Sequence, residues 1–261
     1  ADAPAHREVR KFAEALVEER WPEKGPRWDA EVVATAAALA FNDAATTRKL
    51  HPTTRTALDK MWTVQQADGG WKWIKCEWPP MESDDHYGVE LAIIATGIAP
   101  EGYADTPQAK VGLEKIRSYL KANPPRMLHH EMMLLWGSTV TPDILTPDQQ
   151  KHIQQKIWDL QRPDGGWAVA SLGQWEREDD TPQDVATSDG YGTGFSIYVL
   201  RKAGVPANDP RLQKAVAWLK ANQRESGRWI SRSLFKDSRH FLSHAGTAFA
   251  ILALAECDQL H

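Results

Sequence analysis

Glu82-Ser83-Asp84-Asp85 places three carboxylates within four residues. Like charges at close range cannot all ionise, so such a cluster holds a proton that its neighbours can aim. A carboxyl kept protonated in that way is a general acid. The same residues open an apolar run, "DDHYGVELAIIATGIA" from Asp84, and acidic side chains there are also ordinary helix caps worth about 1 kcal/mol each. Both readings follow from the residue types. Other polar groups begin other apolar runs: Ser188-Asp189, then His129, His130 and Glu131, then His240 and His244. The plain reading of each is a satisfied polar group at a helix end, with Asp189 as a cap.

The elements that must position these groups come in a repeat. "QQADGGW" runs from Gln65 to Trp71, "QRPDGGW" from Gln161 to Trp167 and "QRESGRW" from Gln223 to Trp229. In each, Gln and Trp are six residues apart and a Gly stands two residues before the Trp. Each copy ends a charged amphipathic run and is followed, after a loop of variable length, by a small-residue apolar run. Two further pairs lack the turn: "HREVRKFAEALVEERW" before "DAEVVATAAALAF", and "TPQAKVGLEKIRSYLKAN" before "MLHHEMMLLWGS". The period is helical, with Asp, Ser or Pro at starts and Gly or Asn-Pro at ends. The expected fold is therefore all-α: an α/α toroid, or barrel, of about five to six helical hairpins. Polar outer helices would alternate with apolar inner ones in a single domain over 1–261, with a peripheral N-terminal helix within 1–28. In each turn the Trp would stack against an outer helix and the Gln amide would bond orphan backbone groups.

Composition narrows the function classes. Net charge is −4 over 261 residues, so no basic field invites nucleic acid. Two cysteines, Cys76 and Cys257, make neither a disulfide framework nor a CxxC metal site. No apolar stretch reaches the ~18 residues of a spanning helix. The start "ADAPAH" is compatible with a processed chain, and the compartment stays open. Trp is in excess, 12 against 6 Phe and 5 Tyr, as expected of a repeated element or an aromatic-lined pocket.

The turns resemble the QW motifs of the squalene–hopene cyclase and oxidosqualene cyclase family. "KAVAWLKANQRESGRW" fits that pattern throughout, and the other copies fit from the Gln onward. In the family a Gly-Gly-aromatic turn leads into an Asp-x-Asp-Asp motif whose central Asp protonates a polyene. Here Glu82 stands where the first Asp would be, Asp84 matches the proton donor and Asp85 the last carboxylate. The resemblance implies a class II terpene-cyclase-like isomerase acting on an apolar, isoprenoid-like molecule, with no cofactor or metal. The related prenyltransferase β subunits hold zinc with an Asp-x-Cys element, which this sequence lacks. A carbocation needs a dry aromatic cavity, and the candidates for its wall are Trp73, Trp78, Tyr87, His130, Trp136, Asp189, Tyr191, Phe195 and His244. Parallel inner helices would gather Asp84, Asp189, His130 and His244 at one mouth.

Family cyclases stack two toroids and this chain offers one. A second domain or subunit would then complete the cavity, and membrane-surface association is compatible with such a substrate. The alternatives are a non-catalytic toroid binding an isoprenoid, lipid or protein in its centre, or a carbohydrate-active toroid with two carboxylates about 5–10 Å apart. Two further segments invite function. The long acidic loop 168–190 could act as a lid, and Arg228, Arg232, Lys236 and Arg239 could receive an anion or form a solvated face.

Overall fold

The computed structural model describes residues 4–260. It is all-α, and no strand occurs among the described residues. Eleven α-helices follow in order: α1 Pro4–Ala15, α2 Trp21–Lys24, α3 Asp29–Ala45, α4 Pro52–Thr63, α5 His86–Ile98, α6 Pro107–Ala122, α7 Leu128–Ser138, α8 Pro147–Asp159, α9 Gly190–Lys202, α10 Pro210–Ala221 and α11 Phe241–Glu256. The expected N-terminal helix within 1–28 is interrupted: a π-helical turn, Leu16–Arg20, joins α1 to α2. Residues 1–3 of that expectation lie outside the described residues.

The alternation read from the sequence is present. α3, α5, α7, α9 and α11 are apolar, and α1, α4, α6, α8 and α10 carry charged faces. Local chemistry sets the polar helices' starts. α4, α6, α8 and α10 each begin with Pro at the first position, where a missing N–H is harmless. Thr146 and Gln149 form a reciprocal capping box on α8.

The chain divides into two compact units. One contains α1 to α6, built from the residues up to Cys76, Glu82–Pro125 and Val140–Ile144. Within it α3 packs on α1, α4 and α5, and α6 on α4 and α5. Val32, Val33, Ile93, Ile94, Leu58 and Ile116 are buried in its core. The other contains α7 to α11, built from Glu77–Met81, Arg126–Thr139 and the residues from Leu145 on. Here α9 packs on α7, α10 and α11, and α7 on α8. Close approach of α9 and α11 depends on Gly194, where a Cβ would lie 2.5 Å from the Ala250 amide nitrogen.

Candidate functional site

The three Gln–Trp turns are one structure built three times. Each Trp is buried, and its indole N–H donates to a carbonyl ten residues earlier in the preceding polar helix. The pairs are Trp71 to Met61 at 3.1 Å, Trp167 to Ile157 at 2.7 Å and Trp229 to Leu219 at 2.7 Å. Each Gln amide donates to the carbonyl of its own turn glycine: Gln65 to Gly69, Gln161 to Gly165 and Gln223 to Gly227. Those glycines have φ of 98°, 98° and 77°, a region that disfavours residues with a Cβ. Gln65 and Gln161 donate a second time, to Gly112 in α6 and Arg211 in α10. In all three the Trp clamps the helix before the turn, and in the first two the Gln also reaches the polar helix beyond it.

A second equivalence fixes the apolar helices. The N–H two residues after each turn Trp donates to a side chain at the next apolar helix's start. Trp73 donates to Asp85 at 3.1 Å, Val169 to Asp189 at 2.6 Å and Ser231 to the Ser243 hydroxyl at 3.1 Å. Three residues past each acceptor is a glycine against that same donor residue: Gly88 on Trp73, Gly192 on Val169 and Gly246 on Ser231. Asp85, Asp189 and Ser243 are thus one repeated structural position. Asp189 fills it most completely, accepting also from the Tyr191 and Gly192 amides and the Ser231 hydroxyl. Its pKa is nevertheless raised to about 6, because burial outweighs those bonds.

That register separates the two aspartates. Asp85 is the repeated anchor, and its other oxygen pairs with Lys75 at 2.9 Å. Asp84 has Ser188 and Leu242 as its counterparts, so the repeat does not demand a carboxylate there. Its side chain, 30% exposed, accepts from the His86 amide at 2.9 Å and lies 3.8 Å from the His86 ring nitrogen. Glu82 is half-buried, and burial raises its pKa. Tyr87 packs on Trp73 with ring centroids 5.8 Å apart. Its phenol pKa is raised by burial and then by the charges of Glu90 and Glu82.

Two residues of this cluster escaped the sequence reading. Glu90 is a fully buried carboxylate in α5, and its signal was a Glu inside an otherwise apolar run. Tyr119 on α6 is pushed up to about 12 by burial and then by the charges of Asp85, Asp68, Asp84 and Glu90. It lies far along the chain from the cluster it faces.

The remaining candidates belong to the unit that contains α7 to α11. Tyr191 and Phe195 are fully buried and Trp136 nearly so, within a ring-on-ring cluster that includes His129 and Phe249. The His129 Nε2 is 2.9 Å from the Tyr191 hydroxyl. His130 is buried edge-on to His129. Trp78 stacks on Phe241 with ring centroids 5.0 Å apart, and the Arg239 guanidinium lies over the Trp78 ring, 5.0 Å from its centroid. His244 is exposed.

Two segments that invited function make internal bonds. Loop 168–190 is pinned: the buried Arg177 guanidinium bonds the Ser233 carbonyl and Asp237, and the Gln183 amide bonds the Leu234 carbonyl. The basic stretch is largely spent internally, with Arg232 on Asp237 and Lys236 on Glu178. Among the described residues no group of three or more His, Cys, Asp or Glu is placed to hold a metal ion, and no helix is long and apolar enough to cross a membrane. The chain matches no protein-family model and no curated protein.

Proposed function

We propose that the chain is a QW-repeat α/α toroid of the terpenoid-cyclase type and that Asp84 protonates a polyprenyl or triterpene-type alkene to start its cyclisation. The observation that supports this best is the repeat register. Asp85 serves the position that Asp189 and Ser243 also serve, whereas Asp84 is a carboxylate that the architecture does not require. A carboxylate at a position that the repeat fills elsewhere with Ser188 and Leu242 is a functional candidate.

The chemistry follows from the surroundings. Asp84 gives its proton to a terminal alkene carbon, the π pair forms the new C–H bond, and the cation is left on the adjacent carbon. Ring closure uses the next alkene as the nucleophile, and loss of a proton to a base ends the sequence. Asp85 pairs with Lys75, and burial raises the pKa of the Glu82 carboxyl, so the neighbours of Asp84 differ in environment. The His86 ring beside Asp84 holds the carboxylate after transfer. Trp73 and Tyr87 offer aromatic faces nearby. The substrate is apolar and isoprenoid-like, and a second domain or subunit supplies the remaining wall.

A second reading has its own observation. The bond from the His86 amide to Asp84 is that of a turn-forming aspartate, which suits a toroid that binds an isoprenoid, lipid or protein without chemistry. Incubation with squalene and with prenyl diphosphates of several lengths, followed by product analysis, separates the two. Cyclic product from the wild type and none from Asp84→Asn supports catalysis. Folded wild type that yields no product across the panel removes catalysis and leaves binding, which retention of radiolabelled isoprenoid then measures.

A further inference from the structure

The second turn closes its flank with protein, and the first leaves the same flank open. Seven residues past the carbonyl that each Gln amide reaches, α6 carries Tyr119 and α10 carries Trp218. Asn123 and Asn222, four residues further on, bond the Tyr119 and Trp218 carbonyls in the same way, which fixes the match. On the second turn Asp164 accepts from the Gly166 amide at 3.0 Å, the Ser188 hydroxyl at 2.9 Å and the Trp218 indole N–H at 3.1 Å. Its counterpart Asp68 accepts from the Gly70 amide at 2.9 Å, and no other described residue donates to it. Both missing donors have been exchanged: Tyr119 stands for Trp218 and Asp84 for Ser188.

A cavity of about 500 Å³ lies at that open flank, within the unit that contains α1 to α6, and its wall includes Asp68, Lys72, Lys75, Asp85 and Tyr119. Tyr119 is only 8% exposed, and its hydroxyl has no hydrogen-bond partner among the described residues. Burial first, and then the charges of Asp85, Asp68, Asp84 and Glu90, push that phenol up to about 12, so the field around it favours a cation. Asp85 and Lys75 pair with each other at 2.9 Å. One acid and one base of the wall are left, Asp68 and Lys72, and the Lys72 ammonium bonds no described residue. We propose that this cavity binds a small zwitterion, an amino-carboxylate whose ammonium takes the place of the Trp218 N–H and whose carboxylate faces Lys72. A primary ammonium brings three N–H donors, for which Asp68 and the Tyr119 hydroxyl are acceptors. A ligand with both charges meets both residual charges of the wall, whereas a diamine sets a second cation against Lys72. The volume is that of a small-molecule site. Neither Asp68 nor Tyr119 has a part in the proton transfer assigned to Asp84, so this binding stands whether or not the chain cyclises anything.

Equilibrium dialysis of the whole chain against radiolabelled unbranched amino acids, from glycine to aminohexanoate, tests this. Retention is expected to peak at one chain length, and putrescine binds about tenfold more weakly than the best amino acid. Asp68→Asn keeps an acceptor for the Gly70 amide and weakens binding about tenfold. Lys72→Gln removes the preference over putrescine. Tyr119→Trp supplies the indole N–H of the second turn to Asp68 and abolishes binding, while the thermal midpoint stays at or above that of the wild type. The proposal is overturned by no retention of any amino acid in the series or by equal retention at every chain length. It is overturned equally by wild-type retention in Asp68→Asn or Tyr119→Trp, or by a Lys72→Gln chain that keeps the full preference.

Discussion

The indole N–H of Trp167 donates to the backbone carbonyl of Ile157 at 2.7 Å, across ten residues, and the same bond recurs in both other turns. Trp167→Phe keeps most of the ring and removes the donor, leaving the buried Ile157 carbonyl with the 3.2 Å bond from the Leu160 amide. It is expected to cost about 1–3 kcal/mol, whereas Trp167→Ala, which also opens a cavity, costs about 3–5 kcal/mol. Urea unfolding checks both; an unchanged midpoint for Trp167→Phe would show that the bond contributes nothing.

The glutamines are not equivalent, although the motif writes them alike. Gln161 joins its own turn to α10, and Gln223 bonds its own turn. Gln161→Ala should therefore destabilise by about 1 kcal/mol more than Gln223→Ala, measured in dilute protein. Equal losses would mean that the long-range bond to Arg211 is idle.

Gly165 and Gly204 both have positive φ, 98° and 87°, but an added Cβ meets the Lys214 backbone at one and open space at the other. Gly204→Ala carries the left-handed penalty, about 1–2 kcal/mol. Gly165→Ala adds a backbone clash and should exceed it by about 2 kcal/mol or more. Thermal unfolding of the two variants side by side gives the comparison.

Asp189 yields a pH signature. Its folded pKa of about 6 lies above the unfolded value of about 3.9. The folded state therefore binds more protons between those values, and stability falls as pH rises from about 4 through about 6. Asp189→Asn lacks this dependence while keeping an acceptor at the cap. The stability of wild type minus that of Asp189→Asn should decline by on the order of 1–2 kcal/mol between pH 4 and pH 7. A difference that grows with pH would contradict the desolvation account.

Asp84 and Asp85 should divide function from stability. Asp85→Ala removes the acceptor for the Trp73 amide and the partner of Lys75, and should lower stability by about 1–2 kcal/mol. Asp84→Asn keeps an acceptor for the His86 amide, so stability should stay within about 0.5 kcal/mol while the cyclisation proposed above is lost. Chemical unfolding and product analysis on the same preparations read the two effects separately.

The alternation of charged and apolar helices and the three turns were legible because their information is local. A helical period, a proline at the first position, and a Gln–Gly bond over four residues with a Trp–carbonyl bond over ten all lie within one short segment. Asp84 and Asp85 were legible as a carboxylate pair, but their division of labour was not. The chain separation between the N–H after each Trp and its acceptor is 12, 20 and 12 residues in the three copies. The longer separation in the second copy and the change from Asp to Ser in the third hide from the sequence that Asp85, Asp189 and Ser243 are one position.

By itself, then, the sequence determined the all-α class, the alternation of charged and apolar helices and the turn chemistry, because these depend on groups that meet along one stretch of backbone. Tertiary structure decided which distant helix each Gln amide reaches, that Glu90 is buried and that Tyr119 faces the carboxylates. It also decided that the basic stretch after Trp229 is spent on Asp237 and Glu178, and that Val9 and Phe12 stay in solvent. Those outcomes depend on which surfaces pack together. Burial and charge pairing act between elements tens of residues apart, and the spacing of residue types along the chain carries no record of them.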